Sequence, residues 1–246
     1  MTDRGTTLEG TPNPEAPNPQ LPIVQKLRLR YAKRGRLRFT SHRDFGRAFE
    51  RAIRRAGLPI GHSSGFSPHP KISYANAAPT GAASEAEYLE IGLTRVCDPA
   101  EVQAALDASL PPGLDIVDVV VAEPGALADL LEASRWSIAL PEADVASLQV
   151  AAEAFLAAET VTVERMTKRG LRDIDVRGAV VSLTVEAGCE TPAVSAVVRT
   201  MVPTVRPDDV VGALRAHGAV VAGVPVSTRA AQGPLVDGVV GDPLRT

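Results

Sequence analysis

Charged and apolar residues alternate along the first predictable element of the chain. Residues 26–31 read Lys-Leu-Arg-Leu-Arg-Tyr, which predicts a strand with its leucines and Tyr31 toward a core and its basic residues outward. Gly35 marks a turn, after which the alternation resumes at 37–39. The pattern therefore predicts a hairpin that also places Phe39 on the buried side.

An amphipathic helix is predicted directly after this hairpin. Ser41 is a preferred N-cap residue, and Asp44 stands at the third helical position, where a carboxylate stabilises the free amides. Apolar residues then recur at helical spacing as far as Ala56, and Gly57 ends the helix. Opposite the apolar face, four arginines recur at spacings of four, four and three: Arg43, Arg47, Arg51 and Arg54.

The remaining pattern alternates strands and helices in the same order in both halves of the chain. The second half includes a predicted hairpin of 174–176 with 180–186 and a weak last strand at 220–226. Once the extra hairpin strand is set aside, each half has the order β-α-β-β-α-β, which is that of a ferredoxin-like lobe. We therefore predict an α+β fold of two tandem ferredoxin-like lobes with antiparallel sheets.

Composition divides the chain into four predicted regions. These are a proline-rich disordered leader at 1–23, a basic N-terminal lobe at 24–130, a C-terminal lobe at 131–228 and a flexible tail at 229–246. No stretch approaches the roughly 20 consecutive apolar residues of a membrane span, and the leader contains no apolar signal segment. We therefore expect a cytoplasmic protein that does not bind membranes.

Cysteine usage excludes several classes of site. The chain has 2 cysteines, which lie far apart at Cys97 and Cys189. A disulfide framework, a cysteine zinc site and an iron–sulfur motif are all unsupported by this pattern, and we expect no metal site.

Charge is distributed unevenly along the chain. The formal net charge is −3, yet residues 26–55 contain twelve basic and two acidic residues, a local net charge of +10. Like charges stacked on one helix face destabilise it, so an anionic partner accounts for them better than helix propensity does. Arginine forks match phosphate geometry, which favours nucleic acid, although a solvated arginine-rich face remains an alternative.

The loop at 62–71 is the most unusual stretch of the sequence. It combines histidines, hydroxyls, a lysine and an aromatic residue between glycine and proline joints, and such groups suit a phosphate or nucleotide site. The alternative is an ordinary surface loop. The residues that we assign to binding here are His62, Ser64, Gly65, Phe66, Ser67 and His69.

A second basic turn lies at 167–175, where Asp173 and Asp175 share one strand face. Two such carboxylates can hold Mg²⁺ or perform acid–base chemistry, although a salt-bridged hairpin is the commoner reading of this pattern. The weak catalytic candidates are His42, Asp44, His69, Asp173 and Asp175. The predicted nucleic-acid-binding residues are Arg28, Arg30, Arg36, Arg38, Arg43, Arg47, Arg51, Arg54, Lys71, Lys168 and Arg169.

Four segments together resemble the bacterial radical-SAM-associated (radical-SAM-linked) domain of unknown function, and the likeness covers roughly residues 24 to 225. The segments are 37–44 (LRFTSHRD), 54–59 (RRAGLP), 65–72 (GFSPHPKI) and 168–175 (KRGLRDID). Members of that family occur fused to a radical SAM protein or encoded beside one, often near an RNase E/G-type ribonuclease and ribosomal proteins. This chain lacks the three-cysteine cluster motif, so it resembles the stand-alone type. The resemblance implies a radical SAM partner that carries the iron–sulfur cluster and S-adenosylmethionine, with no cofactor in this chain.

Three functions remain open at this point. The first is an RNA-binding accessory module that positions tRNA or rRNA for a radical SAM enzyme. The second is an enzyme that itself modifies or processes RNA, using the catalytic candidates above. The third is a protein-interaction scaffold that docks the radical SAM subunit.

Overall fold

The computed structural model describes residues 21–64, 66–167, 170–188 and 190–245. Within them lie four α-helices: α1 (His42–Arg55), α2 (Pro99–Asp107), α3 (Val145–Ala157) and α4 (Pro207–Ala216). The strands of the first half are β1 (Gln25–Lys33), β2 (Ile72–Ala75), β3 (Ala83–Leu93) and β4 (Leu114–Val121). The others are β5 (Ala133–Ala139), β6 (Thr162–Thr167), β7 (Gly170–Asp175), β8 (Val180–Glu186), β9 (Ala193–Arg199), β10 (Val226–Gly233), β11 (Leu235–Val236) and β12 (Val239–Val240).

One large sheet crosses the described part of the chain, and it joins both halves. Its strands follow the order β4-β1-β3-β10-β5-β9-β8, and β2 also pairs with β3. All these pairings are antiparallel except the one between β10 and β3. The first half thus contributes the strand order β4-β1-β3-β2, and the second half contributes β10-β5-β9-β8. The predicted α+β class with antiparallel sheets is confirmed.

Helix α1 packs on the first half of the sheet through its aromatic face. Ser41 is the N-cap and accepts a hydrogen bond from the Asp44 amide, as the sequence predicts. Phe45 stacks on Tyr31 of β1 with ring centroids 4.1 Å apart, and Phe49 is fully buried beside it. The strand and helix patterns read from the sequence are therefore confirmed here, and they leave the arginine face of α1 toward solvent.

The predicted second hairpin strand at 37–39 is wrong. Residues Gly35–Phe39 form a 3₁₀-helix, because Gly35 adopts a left-handed φ of 53° and the Arg34 amide bonds to Gly113 instead of continuing a ladder. Phe39, predicted to be buried, is 59% exposed as a result. An aromatic ring therefore stands at the surface just before the arginine helix.

Two elements of the second half differ from the sequence prediction. Strand β7 pairs with β6 in a separate two-stranded sheet, while β8 pairs with β9, so the predicted hairpin of 174–176 with 180–186 does not form. The strand predicted at 220–226 lies instead at Val226–Gly233, as β10, and it stands between β3 and β5. Glycine and proline content predicts a flexible tail from residue 229 onward. Residues 229–233 belong instead to β10, a central strand of the sheet.

Among the described residues, no helix combines the length and apolar character needed to cross a bilayer.

Candidate nucleic-acid interface

The arginine stripe comprises Arg43, Arg47, Arg51 and Arg54 on the outer face of α1. All four side chains are exposed, because the opposite face of the helix carries the buried residues Phe45, Phe49 and Ile53. Within the described part of the chain, none of the four makes an ion pair or a side-chain hydrogen bond. The stripe therefore presents uncompensated positive charge to solvent.

Two further arginines extend this surface beyond the helix N-terminus. Arg36 is exposed on the 3₁₀-helix, and Arg38 places its guanidinium 4.6 Å from the centroid of the Phe39 ring. An exposed aromatic ring beside arginines can stack on a base while the cations bind phosphates. The basic surface thus carries one stacking group that the sequence alternation had assigned to the core.

Arg28 and Arg30 are turned away from the helices, as predicted, but that face of the sheet is covered. Arg28 is 3% exposed, bonds to the carbonyls of Glu123 and Gly125, and lies 3.4 Å from a carboxylate oxygen of Glu90. Arg30 lies 3.9 Å from Asp242, near the C-terminal end of the chain. The alternation of charged and apolar residues in β1 cannot show that residues distant in the sequence cover this face of the sheet. In this structure, Arg28 can contact RNA only by breaking these bonds.

The loop at 61–71 is held at its base and exposed at its tip. Gly61 and Lys71 bond to each other and to Gly92 of β3, and the Ser63 amide bonds to the His69 carbonyl. The tip side chains all lie at the surface, and Phe66 is fully exposed. The described side chains of the predicted site are therefore accessible: His62, Ser64, Phe66, Ser67, His69 and Lys71. Gly65, Lys168 and Arg169 lie outside the described residues.

The loop leads into β2, which contacts the start of α1. The ring of Tyr74 on β2 meets the ring of His42 edge-on, with centroids 4.7 Å apart. Burial, together with the nearby Glu50 carboxylate, raises the pKa of Tyr74 to about 12. Tyr74 therefore stays neutral at physiological pH and serves as a packing group between the loop and the arginine helix.

The catalytic candidates do not converge on one point. Asp44 is engaged in capping α1, where its carboxylate accepts from the Ser41 hydroxyl at 2.7 Å. His69 lies on the exposed loop beside β3, whereas Asp173 and Asp175 lie on β7, in the small sheet formed with β6. Asp175 accepts a hydrogen bond from the Gly178 amide, which is a turn interaction. No group of three or more metal-ligating side chains occurs among residues 21–64, 66–167, 170–188 and 190–245.

The junction between the halves contains a buried ion pair that the sequence reading missed. Arg229 of β10 pairs with Glu87 of β3, and the two side chains are 3% and 2% exposed. Arg229 also donates to the Asn76 carbonyl at 2.8 Å and lies over the ring of Trp136. Burial lowers the pKa of nearby Lys33, while the Glu87 carboxylate acts in the opposite direction. Val226 and Thr228, which are β-branched and stand just before Arg229, are the local sequence signal for a strand here.

Two neighbouring cavities open at this junction. The junction cavity, of about 280 Å³, is lined by Asn76, Ser134, Trp136, Arg206, Arg229 and Gln232, among others. A second cavity, of about 250 Å³, is lined by Arg38 and Phe39 and shares Pro79, Arg206 and Pro207 with the first. The cavities therefore adjoin, and together they connect the start of the basic surface with the interior of the junction.

Residues 26–207 match the family described as "Uncharacterized protein conserved in bacteria (DUF2344)". The chain belongs to this bacterial family. No curated protein is significantly similar to it. Among solved structures, an unknown protein from Galdieria sulphuraria is 16% identical, with a TM-score of 0.23, over 80% of this chain and 96% of that one.

The DUF2344 match contains the whole basic surface and the loop at 61–71, but it ends before the last strand of the sheet. Arg229 and Gln232 therefore lie outside the matched residues, although the cavity that they line also draws on Asn76 and Trp136 inside them.

Proposed function

We propose that this DUF2344 protein is an RNA-binding accessory module, which positions a tRNA or rRNA substrate for a radical SAM enzyme. The observation that carries the proposal is the arginine stripe: four exposed guanidinium groups on one helix face, unpaired within the described residues. Each group offers several donors in a fork that suits phosphate oxygens. A phosphate backbone supplies the repeated negative charge that such a row requires.

The distribution of ion pairs supports this assignment. Four basic residues on β1 and at its end have acidic partners: Lys26, Arg28, Arg30 and Arg34. Lys26 lies 2.9 Å from Glu90, and Arg34 lies 2.7 Å from Asp115. The stripe, Arg36 and Arg38 have none within the described residues. Of the twelve basic residues in the +10 segment, four thus have acidic partners, and six arginines have none in the described part of the chain. Of the other two, Lys33 is buried and Arg55 bonds to the Ser109 carbonyl. A merely solvated basic face offers no reason for this division.

The finer architecture that we propose is a pair of tandem ferredoxin-like lobes. The strand orders β4-β1-β3-β2 and β10-β5-β9-β8 support it. If the β6–β7 pair is treated as an insertion, both orders read fourth-first-third-second in each half, which is the order of a ferredoxin-like sheet. The shared sheet then arises because β10, the last strand of the second lobe, also pairs with β3 of the first.

The proposed partner and location rest on the sequence resemblance. The resemblance implies a radical SAM protein encoded beside this chain, and the iron–sulfur cluster and S-adenosylmethionine are assigned to that partner. A module of this kind works in the cytoplasm, where its RNA substrates are found.

RNA binding is expected to weaken steeply with salt. If the six free arginines each neutralise one phosphate of a single strand, log affinity should fall against log salt concentration with a slope near −4, roughly −0.7 per phosphate. The slope can be measured by fluorescence anisotropy with a labelled RNA at several potassium chloride concentrations. An affinity that does not change with salt contradicts the proposal.

The isolated chain is expected to leave RNA chemically unchanged, because its catalytic candidates are divided among α1, the loop at 61–71 and β7. Purified protein should be incubated with total RNA and Mg²⁺, followed by nucleoside mass spectrometry and gel analysis of fragments. A modified nucleoside or a new fragment that disappears in His69→Ala or Asp173→Asn would instead identify the chain as an enzyme. Modification that appears only when the radical SAM protein is added supports the accessory role.

A further inference from the structure

The carboxamide of Gln232 stands out at the junction cavity, because it is buried without a partner. Gln232 is 2% exposed, and its Oε1 atom is enclosed with no hydrogen-bond donor within reach. No hydrogen bond to its Nε2 atom occurs within the described residues either. Buried polar groups are nearly always paired, since burial without a partner destabilises the fold. The enclosed Oε1 therefore needs a donor, and rotation about the last side-chain torsion of Gln232, which is a broad one, turns it toward the cavity.

The groups around Gln232 define what this ligand must look like. Ser134 lies directly opposite Gln232 in the β5–β10 register, so its hydroxyl shares the same side of the sheet. Trp136 supplies an aromatic wall two residues further along β5. Its ring and the Arg229 guanidinium are 5.6 Å apart, and the bonds of Arg229 to Glu87 and Asn76 hold that guanidinium in place. Because Trp136 is 6% exposed, the cavity meets only a small part of its ring, together with one amide group.

Two exposed arginines stand at the mouth of the cavity. Arg199 is the last residue of β9, and Arg206 precedes α4. Within the described residues, neither side chain forms an ion pair. They are therefore free to bind an anionic group on a ligand whose flat part enters the cavity.

We propose that the junction cavity binds an adenine nucleotide, with the base against Trp136, its amino and ring-nitrogen edge on the Gln232 carboxamide, and its phosphate at Arg199 and Arg206. A glutamine carboxamide pairs with adenine through two hydrogen bonds, one accepted from the amino group and one donated to a ring nitrogen. The cavity volume of about 280 Å³ lies just below the roughly 300–1,000 Å³ of typical small-ligand sites, which limits the ligand to a single nucleotide. A free nucleotide and an adenosine extruded from RNA present this same edge.

The single tryptophan of the chain makes the site directly observable. Because Trp136 is the only tryptophan and lines the cavity, a base that binds there should change its fluorescence. AMP, GMP, CMP and UMP should each be titrated into the full-length protein. We expect a saturable change with AMP at the lowest concentration. No saturable change with AMP, or equal binding of all four nucleotides, would overturn the proposal.

Gln232→Leu tests the assigned hydrogen bonds, and Gln149→Leu on the exposed surface of α3 is the matched control. We expect Gln232→Leu to weaken AMP binding by about tenfold or more, while Gln149→Leu leaves it unchanged. Removing an unpaired buried carboxamide should leave the thermal midpoint equal or higher, so lost binding will not reflect lost folding. Gln232→Met provides a second variant should leucine overpack the site. Unchanged affinity in both variants refutes the role of Gln232.

A second experiment asks whether the nucleotide is free or part of an RNA. It also distinguishes binding in the junction cavity from binding at the arginine stripe. A short RNA with one bulged adenosine should be compared with AMP, in wild-type protein and in Arg47→Ala/Arg51→Ala. If the ligand is an extruded adenosine, the RNA changes the Trp136 signal and the stripe variant weakens only the RNA. If the ligand is free, AMP alone gives the signal. Loss of RNA binding with AMP binding intact would contradict the proposed RNA function but not this site.

Discussion

Arg229→Met is expected to lower the free energy of unfolding by about 3–5 kcal/mol, because it leaves a buried carboxylate without its cation. Glu87 is 2% exposed, and Arg229 is its ion-pair partner in the described residues. The substitution also removes the bond to the Asn76 carbonyl, which connects β10 to the segment after β2. Urea unfolding followed by circular dichroism measures the effect as a lower midpoint.

The double variant Arg229→Met/Glu87→Gln provides the control for this prediction. Glutamine removes the unpaired charge but retains an oxygen that can accept the hydrogen bond from the Ala78 amide. The double variant should therefore be more stable than Arg229→Met alone, since replacing both partners is far less costly than removing one. A single variant within about 0.5 kcal/mol of wild type would contradict the structural role of this pair.

Phe49→Ala is expected to cost about 3–5 kcal/mol, the usual range for removing a buried phenylalanine. Phe49 is fully buried under α1, with its ring centroid 5.6 Å from that of Phe45. The cavity left behind would undermine the helix that carries the arginine stripe. The midpoint of urea unfolding should fall accordingly, with the slope of the transition unchanged.

Phe66→Ala is the matched control, because this phenylalanine is fully exposed at the tip of the loop. Its removal should change stability by no more than about 0.5 kcal/mol. Equal effects of the two substitutions would show that the assigned buried face of α1 is wrong.

The helices and the first strand could be predicted from sequence because their signals are local. Period-two alternation in β1, the Ser41 cap and the aromatic spacing of α1 all depend on neighbours within a few residues. The exposure of the stripe follows from the same spacing. What sequence could not supply is the non-local pairing: β10 enters between β3 and β5, and each of these contacts joins residues distant in the chain.

In the candidate site, too, the features that depend on distant parts of the chain could not be predicted from the sequence. Alternation correctly turned Arg28 away from the helices, but nothing local indicates that the chain near Glu123 will cover it. The alternation predicts a buried Phe39 only if Gly35 is a hairpin turn, whereas the left-handed backbone of Gly35 begins a 3₁₀-helix. Gln232 and Arg229 were overlooked because glycine and proline in their neighbourhood resemble a tail. Their roles become visible only when the strands that flank them are in place.

The salt dependence of RNA binding in two double variants tests the central claim most directly. Arg47→Ala/Arg51→Ala removes half of the arginine stripe, and Arg95→Ala/Arg135→Ala removes two exposed arginines elsewhere. Neither residue of the first pair lies on the buried face of α1, so the helix content should be unchanged. We predict that the stripe variant weakens binding and makes the slope of log affinity against log salt shallower by about 1.4, while the control keeps the wild-type slope. Identical slopes in all three proteins would contradict the account.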